Sequence, residues 1–304
     1  MSQTKKYAAE EWDHQYAEVN GITVHYVQAG TNTAKPVLLL HGFPQSWLIW
    51  RDLIPKLAED HYVLALDLRG YGDSSRPEGI GAYDNEQMAA DVHGLVQLLE
   101  LEHIAMIGHD RGARIARRYA LDYPEKLAGV GLIDILPLEY IYDHLTAGEA
   151  AEKYWHWIFQ VVPDVPEALI EGKEEVYLEF FFKRSPHLME AFKADGAWEE
   201  YLRTWQKKGS VQAALNDYRA SYRVDLPKYR DKQQNKERVE VPVMLLWGDS
   251  GNLAGQPVVD IWKQKANSIV MAEEVKDCGH YVPEEQPDVT HKHIQAFTAD
   301  LFST

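Results

Sequence analysis

Cysteine is almost absent from this sequence, since Cys278 is the one cysteine among 304 residues. A single thiol excludes an intrachain disulfide and is typical of a reducing compartment. The sequence also lacks any run of the roughly 18 to 20 apolar residues that a membrane span needs, and its first residues lack the apolar core of a signal peptide. We therefore expect a cytoplasmic protein with no membrane partner.

Basic residues are outnumbered by acidic ones, 31 to 47, which gives a formal net charge of −16 at pH 7. This balance argues against nucleic acid as a partner, because nothing offsets the repulsion of the phosphates. It also means that an anionic substrate would need a locally positive pocket. No histidines or acidic residues follow the spacing of metal ligands. We expect neither a metal nor an organic cofactor.

The order of apolar segments indicates the fold class. Short apolar runs alternate with helical patterns in the first half of the chain and again near its end, which is typical of an α/β sheet. Between them the pattern is helical and rich in aromatic residues. We interpret residues 1–137 and 239–304 as one core domain and residues 138–238 as a helical cap inserted after the sixth strand, because the C-terminal piece is too small to bury its own sheet.

The stretch "MIGHDRGAR" contains a G-x-D-x-G motif with Asp110 at its centre. Five such residues could form a polar strand-to-helix turn with Asp110 as the N-cap. The motif, however, follows an apolar strand and opens a helix, which is typical of the nucleophile elbow of the α/β-hydrolase fold. In that fold an acid and a histidine follow later in the chain. We therefore predict Asp110 as the nucleophile.

The catalytic base and acid are expected at the ends of strands that come after Asp110 in the chain. His280, in "DCGHYVPEE", lies between the last strand and the last helix, where the fold places its base. The usual position of the acid, three residues beyond the glycine of "VPVMLLWG", is occupied by Gly251. Asp249 is near but off register, so we favour Asp134 in "GLIDILP". An aspartate in an apolar strand needs a partner, and a histidine N–H is a suitable one.

A carboxylate nucleophile predicts the reaction. It is ionised at pH 7 and is suited to displacement at a saturated carbon, which leaves an alkyl ester on the enzyme. Histidine then activates water against the ester carbonyl. The substrate should therefore carry a carbon–halogen bond or an epoxide. The backbone N–H groups of Phe43 and Arg111 are the expected donors of the oxyanion hole.

Two arginines close to the predicted nucleophile indicate the charge of the substrate. Arg111 and Arg114 lie on roughly one face of the helix beside Asp110. Arginine binds carboxylates through a bidentate fork, so the pair suggests an anionic substrate such as a 2-haloacid. The alternative is that they are ordinary surface arginines, an interpretation that suits Arg117 and Arg118 better.

Four motifs carry a family resemblance: "HGFPQSWLIWR", "DLRGYGDSSRP", "GHDRGAR" and "DCGHYVPEE" resemble the epoxide hydrolase and haloalkane dehalogenase branch of the α/β-hydrolases. "GHDRGAR", "YWHW" and "NDYRA" more narrowly resemble the fluoroacetate dehalogenases. The resemblance implies hydrolysis of haloacetate, chiefly fluoroacetate, to glycolate and halide, and a homodimer. It implies that His156, Trp157 and Tyr218 hold the leaving halide.

Several alternatives remain open at this point. By residue pattern alone, His156 and Trp157 could be packed cap residues, and Tyr222 is as good a candidate as Tyr218. The enzyme could prefer chloroacetate or bromoacetate. It could be an epoxide hydrolase with the same aspartate and with cap tyrosines as acids, although a neutral epoxide gives the arginines no partner. A non-catalytic protein that binds a small carboxylate is the remaining alternative.

Overall fold

One eight-stranded sheet forms the centre of the protein in the computed structural model, which describes residues 8–231 and 236–303. The strands are β1 (Asp13–Val19), β2 (Ile22–Ala29), β3 (Lys35–Leu40), β4 (His61–Leu66), β5 (Ile104–His109), β6 (Leu127–Ile133), β7 (Val243–Gly248) and β8 (Ile269–Val275). They lie in the order β1-β2-β4-β3-β5-β6-β7-β8. β2 pairs antiparallel with β1 and β4, and all other neighbours are parallel.

The edge strand β1 is absent from the sequence-based prediction. Three of its seven side chains are exposed, two are half-buried, and only Ala17 and Val19 are buried, so it carries little apolar signal. A local signal does exist, because Asn20 and Gly21 separate it from β2. Both residues have positive φ, 47° and 75°. Asn-Gly with this geometry is the preferred two-residue turn of a β-hairpin.

The helices divide into three groups along the chain. Before the insertion come α1 (Ile54–Leu57), α2 (Asn85–Leu98) and α3 (Arg111–Asp122). The insertion holds α4 (Leu138–His144), α5 (Ala147–Glu152), α6 (Trp155–Gln160), α7 (Val165–Ile170), α8 (Glu174–Phe182), α9 (Pro186–Asp195), α10 (Ala197–Trp205), α11 (Ser210–Ala220) and α12 (Leu226–Arg230), with a π-helical turn at Ser221–Asp225. After it come α13 (Val258–Trp262), α14 (Val282–Glu285) and α15 (Pro287–Phe302).

The insertion between β6 and β7 is a helical cap, as the sequence predicts. Within its described part, residues 138–231 and 236–238, no strand is found. Together with the mostly parallel sheet, this confirms the predicted fold class. None of the helices in the described residues is long and apolar enough to cross a membrane.

The central strands β3 to β7 bring the candidate residues to one edge of the sheet. These strands are almost wholly buried, as expected for parallel strands covered on both faces. β5 and β6 pair with His109 opposite Ile133. The residues that follow, Asp110 and Asp134, therefore leave the sheet side by side. The N–H of Asp110 donates to the carbonyl of Ile133 at 3.1 Å.

Candidate active site

The turn at Asp110 is sharp and needs both glycines of its motif. Asp110 has φ 47° and ψ −114°, which few non-glycine residues adopt. A Cβ on Gly112 would lie 2.2 Å from the carbonyl oxygen of Leu40, and one on Gly108 would lie 2.5 Å from the carbonyl carbon of Gly112. The close packing of α3 on the strands thus forces the Asp110 side chain out at the end of β5.

The two oxygens of Asp110 have different surroundings. Oδ1 accepts a hydrogen bond of 2.9 Å from the N–H of Phe43, whereas Oδ2 lies 3.7 Å from Nε2 of His280. Burial alone would raise the pKa of Asp110, but neighbouring side chains, His280 first among them, outweigh burial and lower the pKa to about 2. The carboxylate is therefore ionised at neutral pH, and Oδ2 is the oxygen available for attack.

Of the two predicted oxyanion-hole donors, Phe43 thus already contacts Asp110. The other, the N–H of Arg111, belongs to the first residue of α3, where N–H groups have no partner within the helix. The contact between Phe43 and Asp110 requires glycine at position 42, because a Cβ there would lie 2.4 Å from Cβ of Asp110.

His280 and Asp134 form the expected pair. Nδ1 of His280 lies 2.6 Å from Oδ2 of Asp134, whose Oδ1 accepts a bond of 3.2 Å from the N–H of Gly248. Burial would lower the pKa of His280, but Asp134 and then Asp110 outweigh it and raise the pKa. Asp249, the rejected candidate, bonds instead to Ser250. The structure thus brings Asp134, rather than Asp249, to the histidine.

Arg114 faces the site, and its guanidinium has few partners. It is 4% exposed and lines the cavity in front of Asp110. Nη1 donates to the carbonyl of Leu136 at 3.2 Å, and the guanidinium carbon lies 5.0 Å from the centre of the Trp157 ring. Its Nε is buried with no hydrogen-bond partner among the described residues. This buried cation can therefore bind an anion in the cavity.

Arg111 departs from the prediction that it shares this task. It is absent from the described residues that line the cavity. Its Nε donates to Oδ2 of Asp217 at 2.9 Å, and its Nη2 donates to Oδ1 of Asp217 and to Ser221. Asp217 is fully buried and also accepts a bond of 2.7 Å from Tyr71. The carboxylate of Asp217, in the cap, thus already pairs with this guanidinium, and no local sequence pattern indicates that contact.

Arg117 and Arg118 are not surface residues either. They are 5% and 6% exposed. Arg117 forms two hydrogen bonds with Glu139, and Arg118 pairs with Asp122. The interpretation of Arg117 and Arg118 as ordinary surface arginines was therefore wrong, because both guanidiniums are buried and held by ion pairs.

The three cap residues implied by the resemblance converge on the cavity. The ring centres of His156, Trp157 and Tyr218 lie 6.0 to 6.5 Å apart in pairs. Burial is the largest cause that lowers the pKa of His156 to about 3, and it raises the pKa of Tyr218 well above its usual value. All three side chains are neutral at pH 7 and can donate hydrogen bonds. Tyr222, the alternative, is 45% exposed.

The cavity itself is small. The space open to the centres of water-sized molecules is about 40 Å³, enough for a few waters. Phe181, from the phenylalanine-rich run of α8, lines one part of it. Sequence reasoning missed Tyr154, Arg184 and Asn252, although Tyr154 begins the "YWHW" motif and Arg184 lies just beyond the phenylalanine-rich run.

One group of possible metal ligands lies away from this cavity. His25, Asp67 and Asp73 have ligand atoms within 4.8 Å of one another. Asp67 already contacts Nδ1 of His25 at 2.6 Å and accepts bonds of 2.8 Å from the N–H groups of Trp47 and Asp73. Its oxygens hold the loop after β4 in place, which is a structural role.

Comparison with known proteins agrees with the fold and the site. Residues 35–287 match the model of a family described by the alpha/beta hydrolase fold. A soluble epoxide hydrolase of Corynebacterium sp. (strain C12) is 35% identical over 302 residues, with 96% of this chain and 99% of the relative covered. A fluoroacetate dehalogenase of Burkholderia sp is 30% identical over 302 residues, with 97% and 96% covered.

A solved structure of another hydrolase has the same fold. The epoxide hydrolase CorEH, solved without ligand, superimposes with a TM-score of 0.85 at 31% identity, covering 95% of this chain and 99% of that one. The fold and the site define a hydrolase. The chain belongs to the alpha/beta hydrolase fold family.

Proposed function

We propose that this protein is a haloacetate dehalogenase that converts haloacetate, chiefly fluoroacetate, to glycolate and halide. The observation that carries the proposal is Arg114. It is a buried guanidinium in the cavity, beside the candidate nucleophile, and its described hydrogen bond goes to a backbone carbonyl rather than to a carboxylate. A small organic anion satisfies this charge, whereas a neutral substrate supplies no carboxylate for the rest of the buried guanidinium.

In the first step, Arg114 binds the substrate carboxylate and Oδ2 of Asp110 attacks the carbon that bears the halogen. The carbon–halogen bond breaks and its electron pair leaves with the halide. The product is a carboxymethyl ester of Asp110. The carbonyl oxygen of this ester is Oδ1, which already accepts the hydrogen bond from Phe43.

In the second step, water cleaves the ester. Forming the ester removes the negative charge of Asp110, which is one cause of the raised pKa of His280. The imidazole pKa therefore falls in the intermediate, and neutral His280 can take a proton from water while Asp134 holds its Nδ1. Hydroxide adds to Cγ of Asp110 and negative charge develops on Oδ1. Collapse breaks the Cγ–Oδ2 bond, the departing glycolate oxygen takes the proton that His280 received, and the new carboxyl group ionises to regenerate the carboxylate.

Two features support fluoride as the leaving group. Fluoride is a poor leaving group and needs converging hydrogen bonds in the transition state. His156, Trp157 and Tyr218 supply three neutral donors on one side of the cavity. The small cavity volume of about 40 Å³ also suits a molecule of few atoms. A preference for chloroacetate or bromoacetate is the nearest alternative, and it would use the same nucleophile, Asp110, and the same carboxylate-binding residue, Arg114.

The second candidate function is an epoxide hydrolase. Tyr154 and Tyr218 both line the cavity, and burial raises the pKa of Tyr154 to about 12, so both hydroxyls are protonated and could donate to an epoxide oxygen. The relative from Corynebacterium is named a soluble epoxide hydrolase. Arg114 disfavours this function, because a neutral epoxide leaves its charge unpaired.

The test is halide release by the purified protein. Fluoride is followed with an ion-selective electrode on fluoroacetate, with chloroacetate and bromoacetate in parallel and diol formation from a neutral epoxide as the fourth assay. Asp110→Asn is expected to abolish halide release. Asp249→Asn, a matched change outside the cavity lining, is expected to retain it. Chloride or bromide without fluoride would leave a dehalogenase of different preference, and diol alone would establish the epoxide hydrolase.

The halide donors are tested separately. Trp157→Phe removes one indole N–H and is expected to slow fluoride release by a factor on the order of 10². Bromide, a better leaving group, should lose much less. Trp155→Phe is the matched control, because Trp155 lies two positions before Trp157 in the same helix and is not among the described residues that line the cavity. Equal losses for both halides would contradict the assignment.

A further inference from the structure

Arg184 occupies the boundary between the candidate active site and the outside. It lies in the loop between α8 and α9 and is exposed. It lines the active-site cavity and also an outer cavity of about 620 Å³, bounded by the start of α9 and by residues 277–279 and 284–286. Among the described residues, it is the one that lines both. Arg184 therefore lies between these two spaces.

The side chain is held loosely. Its Nη2 donates to the carbonyl of Lys153 and to Oδ1 of Asn252, both at 3.4 Å, which is longer than a well-formed hydrogen bond. No carboxylate of the described residues forms an ion pair with it. Asn252 also lines a third cavity of about 150 Å³. The contact between Arg184 and Asn252 thus joins two residues that line the active-site cavity, each of which also lines a neighbouring cavity.

Arg184 supplies positive charge where the protein otherwise repels anions. The chain carries a net charge of −16, and Asp110 adds a negative charge at the base of the cavity. The guanidinium of Arg111 is taken by Asp217, which leaves Arg114 inside and Arg184 at the rim. The field of Arg184 reaches the site, since after burial it is the next cause that lowers the pKa of His156.

We propose that Arg184 recruits the anionic substrate from the outer cavity and passes its carboxylate to Arg114 as the contact with Asn252 opens. The proposal rests on the proposed haloacetate substrate. It assigns the second positive charge for the substrate to the cap rim rather than to Arg111. A charge at the rim of a cleft raises the local concentration of an oppositely charged ligand, and salt screens the effect.

The experiment compares Arg184→Lys, Arg184→Gln and Arg184→Glu with Lys183→Gln. Lys183 is the matched control, because it lies next in sequence, is 61% exposed and pairs with Glu179. The readout is kcat/KM for the best haloacetate between ~10 and ~300 mM salt, a range over which the screening length falls severalfold. Chloroacetamide serves as the neutral substrate of nearly the same shape.

Arg184→Gln is expected to lower kcat/KM for the acid about three- to tenfold at low salt, with kcat within twofold, and the loss should disappear at high salt. Arg184→Lys should stay near the parent and Arg184→Glu should fall further. The kcat/KM for chloroacetamide should be the same in the parent and in all three Arg184 variants. An unchanged kcat/KM in Arg184→Gln would overturn the proposal, and so would an equal loss for acid and amide, because that pattern indicates lost packing.

A second readout keeps this test separate from that of the proposed function. If the parent enzyme releases no halide but hydrolyses an epoxide, the dehalogenase proposal fails. Inhibition of epoxide hydrolysis by acetate then measures whether Arg184 helps an anion to bind. A rise of the acetate inhibition constant in Arg184→Gln, absent in Lys183→Gln, supports anion recruitment by Arg184. Equal inhibition constants in the parent and Arg184→Gln overturn it.

Discussion

Replacing Asp217 by asparagine removes the one carboxylate that binds both Nε and Nη2 of Arg111. The change keeps the side-chain shape and an oxygen that can accept the hydrogen bond of Tyr71. What it removes is charge. Arg111 is 3% exposed and Asp217 is fully buried, so water cannot replace the lost partner. The variant therefore measures whether Arg111 is a structural ion-pair residue.

The loss of stability expected for Asp217→Asn follows from the burial of both Arg111 and Asp217. Breaking a buried ion pair from one side costs about 3–5 kcal/mol, because the remaining charge stays in the interior. In a chain of 304 residues, with an unfolding entropy of about 2.1 cal/mol/K per residue, that corresponds to a fall in Tm of roughly 5–8 °C. Exchanging both partners for apolar residues of similar volume is often close to neutral. The double variant Arg111→Met with Asp217→Leu should therefore regain part of the stability that Asp217→Asn loses, less the cost of the buried Tyr71 hydroxyl, which loses its acceptor.

The assay is calorimetric unfolding at pH 7, with Asp225→Asn as control. Asp225 is also buried and lies close by in the π-helical turn, but burial raises its pKa to about 7, so much of it is already neutral and its substitution should cost far less. If Asp217→Asn lowers Tm by less than about 2 °C, or if the double variant is no more stable than Asp217→Asn, the reasoning is refuted.

The same double variant tests the role of Arg111 in binding. If Arg111 held the substrate carboxylate, as the sequence predicts, its loss would cost about 1.5–3 kcal/mol of binding. That is a rise in KM of roughly tenfold to more than a hundredfold. We expect a smaller rise, because Arg114 lines the cavity and Arg111 does not. Arg114→Met should show the larger effect.

Three further predictions concern the elbow and the base. His280→Gln should leave the displacement intact and trap a carboxymethyl ester on Asp110, and mass spectrometry that finds the aspartate unmodified would contradict the mechanism. Asp134→Asn should slow ester hydrolysis on the order of 10⁴-fold. It should also move the acid limb of the pH–rate profile to lower pH, because neutral His280 is the active form and Asp134 raises its pKa; an unmoved limb would argue against the pair. Gly112→Ala should prevent stable folding, since its Cβ would lie 2.2 Å from the carbonyl oxygen of Leu40, and an unchanged Tm would refute that packing argument.

The acid could be chosen among its candidates from the local sequence around each of them. Gly251 excluded the usual position of the acid, and an aspartate at the end of the apolar strand β6 needed a polar partner, so Asp134 could be chosen before its contact with His280 was known. β1 was missed because its exposed side chains leave no apolar pattern, although the Asn-Gly turn behind it was a usable signal. The homodimer and the cytoplasmic location stay predictions.

The sequence by itself determined the sheet, the inserted cap and the positions of Asp110 and His280. These follow from local features, namely apolar strands, tight glycine turns and the order of segments along the chain. Only the tertiary structure decided the partner of Arg111, the size of the cavity and the place of Arg184. Arg111 and Asp217 are 106 positions apart, and their pairing depends on how the cap packs on the core. A guanidinium binds whichever carboxylate packing brings to it, and the residues next to it in the chain do not specify that partner.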